Sequence, residues 1–270
     1  MAELGLAMLR NTHPAQPNAV VSPLAATAAL GLVHTGVAGA AEREIEALFG
    51  AATGHLALRQ HLPQLLRELQ KPDADKSAPL VLASRVWIDP LAAPAVPRAT
   101  VQRLQKRWQA DAKQVSFADA EPTREQINQW TATHTRGRVA ELLAPGSVTP
   151  STRLALTTAL HFKNPWEKPF DATQTEPRAF RNSSGVSTQV PTLNDERGVH
   201  QATVDGATVM ALPFAGNAYT LLLAVPAQGG STDTMLKAMK GDTLARWRAA
   251  LLPKQCAFAL PKFNIAPLAA

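Results

Sequence analysis

Residues 152–166, TRLALTTALHFKNPW, limit what this chain can fold into more than any other stretch. Leu154, Leu156, Leu160 and Phe162 recur at period two, the spacing of a β-strand. A Lys-Asn-Pro turn and Trp166 follow. Ala155 and Ala159 make the opposite face apolar too, so the strand is expected to be covered on both sides. With 270 residues, 46% of them apolar, the chain can bury such a strand in one large domain or two smaller ones.

The rest of the chain supplies helices first and strands later. Ser22 can cap a helix that Pro23 opens, and Gly36 and Gly39 close it before a short helix over 41–49. Leu58, Leu62, Leu65, Leu66 and Leu69 share helical spacing over 55–69, with Pro63 as a kink. A polar loop over 71–78 leads to a strand over 79–88, a helix over 99–113 and a short strand over 114–117. Glu121-Pro122-Thr123 opens a helix carrying Ile127 and Trp130, punctuated by Gly137 and then Pro145-Gly146. Strands are expected over 179–190, broken at 182–185, over 202–207, and over 209–214 and 219–225 as a hairpin. A single helix over 236–252 and a last strand over 257–265 complete the reading. This order argues α+β rather than alternating βαβ units.

Several functions find no support. The net charge of +6 permits a polyanionic partner, but the basic residues are scattered. Their densest group, Arg98, Arg103, Lys106, Arg107 and Lys113, reads as a solvated helix face, so nucleic acid is not expected. Cys256 is alone and forms no internal disulfide, and its alternating position points it into a core. The N-terminus reads as an amphipathic helix with Leu4, Leu6, Met8 and Leu9, not as a signal peptide, and no run is long enough to cross a bilayer. His55 and His61 are six apart, while His13, His34, His134, His161 and His200 stand isolated without HExxH or Cys/His spacing, so no metal and no cofactor are expected. Ser22 lacks a G-x-S-x-G elbow and Gly36-x-x-Gly39 lacks a preceding strand, so neither a nucleophile nor a phosphate loop is read there. His161 is read as a hydrogen-bond-satisfied polar residue, and the five tryptophans as core and helix anchors. No catalytic constellation remains, and an enzyme is not expected.

Ordered blocks carry a positive signal. NAVVSPL, residues 18–24, comes first. Asn128, Trp130, Thr135, Gly137, Leu142-Leu143 and Pro145-Gly146-Ser147 follow, then Ala159-Leu160-His161-Phe162-Lys163 with Trp166. Val190-Pro191, Leu212-Pro213-Phe214 and Leu260-Pro261-Lys262-Phe263 come last. In this order the blocks resemble the serpin family of serine-protease inhibitors, over essentially the whole chain.

The resemblance implies one serpin domain over 1–270, with helices packed on a large mixed sheet plus smaller sheets. It implies inhibition by mechanical energy: a cleaved reactive loop inserts as an extra strand and drags the acyl-enzyme with it. Serine proteases are the partners so implied, and extracellular space is the family's commonest location. By resemblance, Ser22 lies beneath the point where the sheet opens, Ala25 and Thr158 are its neighbours, and Trp166 lies near the top, where insertion begins. The family usually has serine at Ala25, asparagine at Thr158 and Ser84, and glycine at Asn164, so buried amide partners are expected to be lost. No acidic-Gly-Thr-Glu hinge with an alanine-rich continuation occurs in these residues. The expectation is therefore a chain incomplete at its C-terminus, lacking the C-terminal helix, a central strand, the reactive loop and closing strands, and inactive by itself. The alternative is a non-inhibitory binding or structural protein on this scaffold, completed by a strand-donating peptide or by self-association.

Overall fold

The computed structural model describes residues 1–12, 18–50, 54–72, 78–182 and 185–265. The expected loop at 71–78 and the break at 182–185 lie partly outside them, as does His13. The chain forms two compact units, one on Ser22–Lys163 and one on Ala2–Val21 with Asn164–Ala266. Helix α1 (Ala2–Thr12), the expected amphipathic helix, buries Leu6 and belongs to the second unit. No helix among the described residues is long and apolar enough to cross a membrane.

The first unit begins with α2 (Pro23–Gly36). Ser22 caps it, its Oγ accepting from the Ala25 N–H at 3.2 Å, and Pro23 occupies the first turn. α3 (Ala40–Ala47) and the single turn α4 (Gly54–Leu56) follow. A π-helical turn, Ala57–His61, runs into α5 (Leu62–Leu69). That widened turn is the expected effect of Pro63: proline offers no N–H to the preceding turn, and the Leu62 N–H donates to the Ala57 carbonyl instead.

β1 (Leu80–Ile88) leads to α6 (Arg98–Trp108) and β2 (Asp111–Gln114). The helix stops five residues before the expected 113, because Gln109 turns left-handed at φ 54° and closes it with N–H bonds to Gln105 and Leu104. No glycine marks that stop, so the following strand also comes early, at 111–114 rather than 114–117. α7 (Ala120–His134) and β3 (Leu154–Phe162) complete the unit. Its mixed sheet has the order β2-β1-β3, with β2 parallel and β3 antiparallel to β1.

Register explains the core of this unit. Trp87 stands opposite Ala155, and Ala83 opposite Ala159. The small alanines leave room for Trp87, fully buried, and for Trp130 of α7, whose ring meets it edge-on at 6.0 Å. Val115, Phe117, Ile127 and Val148 pack in the same cluster. The Trp87 indole donates to Thr157 Oγ1 at 2.9 Å. α2 packs on β3 as well, so the other face, with Ser84 and Thr158, turns toward it. The expectation that β3 is covered on both sides holds only for its middle. Leu154 is 50% exposed and Phe162 37%, the two ends of the strand.

The second unit is built on an antiparallel sheet. β4 (Thr175–Arg181), β5 (Ser187–Val204), β6 (Ala207–Pro213) and β7 (Thr220–Pro226) pair in that order, and β8 (Leu252–Pro261) pairs with β5. β5 is one continuous strand, where two pieces were expected. Its neighbours divide it instead: β4 pairs with its first part, β6 with its last, and β8 bridges between.

The expected helix over 236–252 is two helices, α8 (Thr232–Ala238) and α9 (Thr243–Ala250). They part at Lys240-Gly241, where the Gly241 N–H donates to the Glu3 carboxylate of α1 at 2.8 Å. Trp247 of α9 packs on Ala207 and Val209 to form this unit's core. Cys256, expected in a core, lies on the inward set of β8 with Phe258 and Leu260, but that set is only half-buried.

Candidate functional site

The residues expected to govern sheet opening fall in both units. Ser22, Ala25 and Thr158 belong to the first and Trp166 to the second. Ser22 and Ala25 meet only through the cap bond of α2. Thr158 lies on β3 directly opposite Ser84 of β1, and their hydroxyl oxygens are 3.2 Å apart. The two positions where asparagine was expected are thus filled by one hydroxyl pair. It joins β1 to β3 on the face turned toward α2. A hydroxyl has one proton where an amide has two, so this pair holds the strands with fewer bonds than asparagines could. On α2, two residues after Ala25, Thr27 is 1% exposed and its Oγ1 has no hydrogen-bond partner among the described residues.

β3 ends the order of its sheet among the described residues, with β1 on one side only. α7 crosses the opposite face and is held there by two buried polar side chains. Asn128 is 7% exposed. Its Oδ1 accepts from the N–H groups of Leu142 and Leu143 at 3.0 and 2.9 Å, and its Nδ2 donates to the Leu143 carbonyl at 2.9 Å. Arg124 donates to the same carbonyl at 2.7 Å and pairs with Glu121 and with Glu141. Thr135 closes the helix, donating to the Thr131 carbonyl and accepting from the Val139 N–H. Gly137 sits at φ 75°, a conformation other residues adopt at a cost. Asn128, Thr135, Gly137 and the Leu142-Leu143 pair, read from sequence as one run, are therefore one clamp. Arg124 was missed; its signal was the Glu121 spaced three residues before it.

In the second unit, Trp166 bridges to Phe214 and stacks on its ring at 4.6 Å and 9°. The Glu167 N–H donates to the Pro213 carbonyl at 3.1 Å and the Ala215 N–H to the Pro165 carbonyl at 2.9 Å, aligning the segment after β3 with the end of β6. Asn164, where glycine was expected, uses its side chain in the same zipper, donating to the Ala215 carbonyl at 3.0 Å. Beside Trp166 a cleft of about 470 Å³ is lined by Phe170, Arg197, His200 and Leu212. The Arg197 guanidinium lies 4.4 Å over the Phe170 ring there.

Two histidine environments differ from the sequence expectation. His161 was read as satisfied, yet its Nε2 is buried without a hydrogen-bond partner among the described residues. Burial, then the nearby Arg136, Arg138 and Lys163, push its pKa below the usual imidazole value, which favours the neutral ring. His34 is isolated in the sequence, and His55 has only His61, six residues on, as a histidine neighbour. The fold brings them together with Glu42 and Glu46 of α3, the ligand-type atoms all lying within 4.8 Å of one another. Glu42 and Glu46 sit one helical turn apart, which was the legible half of that cluster.

Comparison with known proteins matches this architecture throughout. The family model described as Serpin (serine protease inhibitor) matches residues 1–267. Plasminogen activator inhibitor 1 of Mus musculus is 27% identical over 254 residues, 92% of this chain and 62% of that protein. Serpin B6 of Macaca fascicularis is 28% identical over 259 residues, 92% of this chain and 67% of that protein. The chain thus spans about two thirds of the length of these relatives. Among solved structures, emu ovalbumin aligns with a TM-score of 0.85 at 23% identity, covering 96% of this chain and 71% of its own. Reactive-loop-cleaved human thyroxine-binding globulin aligns at 0.86 and 21% identity, covering 98% and 78%. The helix-capped, clamped and zippered blocks are those the resemblance named, and the chain belongs to the serpin family.

Proposed function

We propose that these 270 residues are one incomplete serpin domain of the serine-protease-inhibitor class, and that by themselves they do not trap a protease. The single observation that carries the reading is the position of β3, an edge strand in its sheet among the described residues. It is the strand whose block resembles the family's sheet centre, and an edge presents backbone groups that another strand can pair with. Trapping by insertion needs a loop that is cut and then added as a strand, and no hinge of the family's kind occurs in this sequence. The Ser22 cap, Ala25, the Ser84–Thr158 pair and Trp166 are the groups that set how readily the sheet admits a strand. A serine protease is the partner of the completed inhibitor.

The test mixes the chain with trypsin-like, chymotrypsin-like and subtilisin-like proteases. The expected result is plain digestion or indifference. A covalent complex that survives boiling in detergent would overturn the reading. A second reading is a non-inhibitory scaffold completed by a partner strand or by self-association, and the same edge supports it. It expects an added peptide with the pattern of a serpin insertion strand to bind and raise the melting temperature. No shift with any such peptide, in a chain that stays monomeric, would count against it.

A further inference from the structure

We propose that His34, Glu42, Glu46 and His55 form a binding site for a divalent transition cation of the zinc type. Three elements of the first unit converge there: the last turn of α2 supplies His34, one face of α3 supplies Glu42 and Glu46, and α4 supplies His55. His34 Nε2 lies 2.9 Å from Glu46 Oε1 and 3.8 Å from Glu42 Oε1, and His55 Nδ1 lies 2.8 Å from Glu46 Oε1. Around a tetrahedral zinc with bonds of about 2.0–2.2 Å, neighbouring ligand atoms stand about 3.4 Å apart. These separations fall on both sides of that value and all four ligand atoms lie within 4.8 Å of one another, so modest side-chain adjustments bring them around one cation. Without it, Glu46 bridges the two imidazoles by hydrogen bonds.

Charge and donor chemistry favour the same ion. Two carboxylates and two neutral imidazoles sum to minus two, and Arg59 beside Glu42 offsets one unit, so a divalent cation meets a net negative site. Imidazole nitrogen suits zinc, cobalt and nickel, whereas calcium and magnesium take oxygen ligands. Arg59 donates at 2.8 Å to the same Oε1 of Glu42 that lies nearest His34, so a cation bound there displaces or shares that guanidinium contact.

The site is also held in place. A Cβ at Gly54 would lie 1.9 Å from the Glu46 carbonyl oxygen, so only glycine lets α4 approach α3 closely enough to set His55 against Glu46. His34 is 3% exposed and forms the floor, while the His55 side chain is 54% exposed and leaves an entry path.

The experiment titrates the metal-free chain with Zn²⁺ by calorimetry and with Co²⁺ by visible absorption. One ion per chain is expected, with the intense d–d bands of tetrahedral cobalt and a Zn²⁺-dependent rise in melting temperature. His55→Ala and Glu46→Gln are each expected to weaken binding at least about tenfold, the smallest loss seen even for outer-sphere partners. His61→Ala, a change at an exposed histidine outside the cluster, is expected to leave binding intact. Because His55 is exposed, its variant keeps the test decisive if Glu46→Gln does not fold. Absence of Zn²⁺ binding tighter than about 100 μM, far weaker than structural zinc sites, would overturn the proposal. So would binding that His55→Ala leaves unchanged.

Discussion

Replacing Asn128 by alanine tests whether α7 is clamped as described. The side chain makes three hydrogen bonds, two accepted from Leu142 and Leu143 and one donated to Leu143. Each is worth about 1 kcal/mol net, and more where the stranded partner stays buried. Leu142 is 36% exposed, so its freed N–H can reach water and its share shrinks. Leu143 is half-buried and its carbonyl keeps Arg124 as a donor, so the clearest orphan is its N–H. The sum is about 2–3 kcal/mol. With a urea m-value of about 3 kcal/mol/M, the midpoint falls by about 0.7–1 M. Gln129→Ala, on the exposed side of the same helix, serves as control and is expected to shift it little. Native-state hydrogen exchange supplies a local readout, with protection lost at Leu143 and kept along the β5–β8 pairing. A midpoint shift no larger than the control's, or protection lost evenly through both units, would refute the clamp.

Two further outcomes follow from packing and charge. A Cβ added at Gly31 would lie 2.0 Å from the Trp108 ring, which is 5% exposed and hydrogen-bonded to Thr35, so Gly31→Ala is expected to cost at least about 1–3 kcal/mol by overpacking. A melting temperature equal to that of the parent chain would show that α6 yields freely. Asp205 is held below the usual aspartate range, chiefly by its hydrogen bond to the Arg246 guanidinium, which outweighs the opposing effect of burial, and further by the Trp247 indole. The unfolded chain therefore takes up that proton first on acidification. The stabilisation is present in full above the ordinary aspartate value and drains away as pH falls through the lowered one. Asp205→Asn should be less stable at neutral pH and lose less on acidification. Parallel melting curves for the two proteins across acid pH would exclude the pairing.

Much of this protein was legible as local pattern. Ser22-Pro23 announced a capped helix start because capping needs only a neighbouring oxygen and a fixed φ. Leucine spacing and Pro63 announced the broken helix over 55–69, and the alternation after Thr152 announced β3. The ordered blocks named the family, since each is a local solution to a cap, a clamp or a turn. Other boundaries carry no local cue: Gln109 ends α6 without a glycine, and the continuous run of β5 depends on β4, β6 and β8 sharing its length.

What tertiary structure alone decided is which distant atoms meet. The fold set Ser84 against Thr158 across two strands, left His161 Nε2 without a partner among the described residues, and drew His34 and His55 onto one carboxylate. Those encounters depend on strand register and on how closely helices approach. Register is chosen by the fit of whole faces, here Trp87 over Ala155, and close approach by single absences such as the missing Cβ of Gly54. Neither leaves a period or a spacing that can be read along the chain.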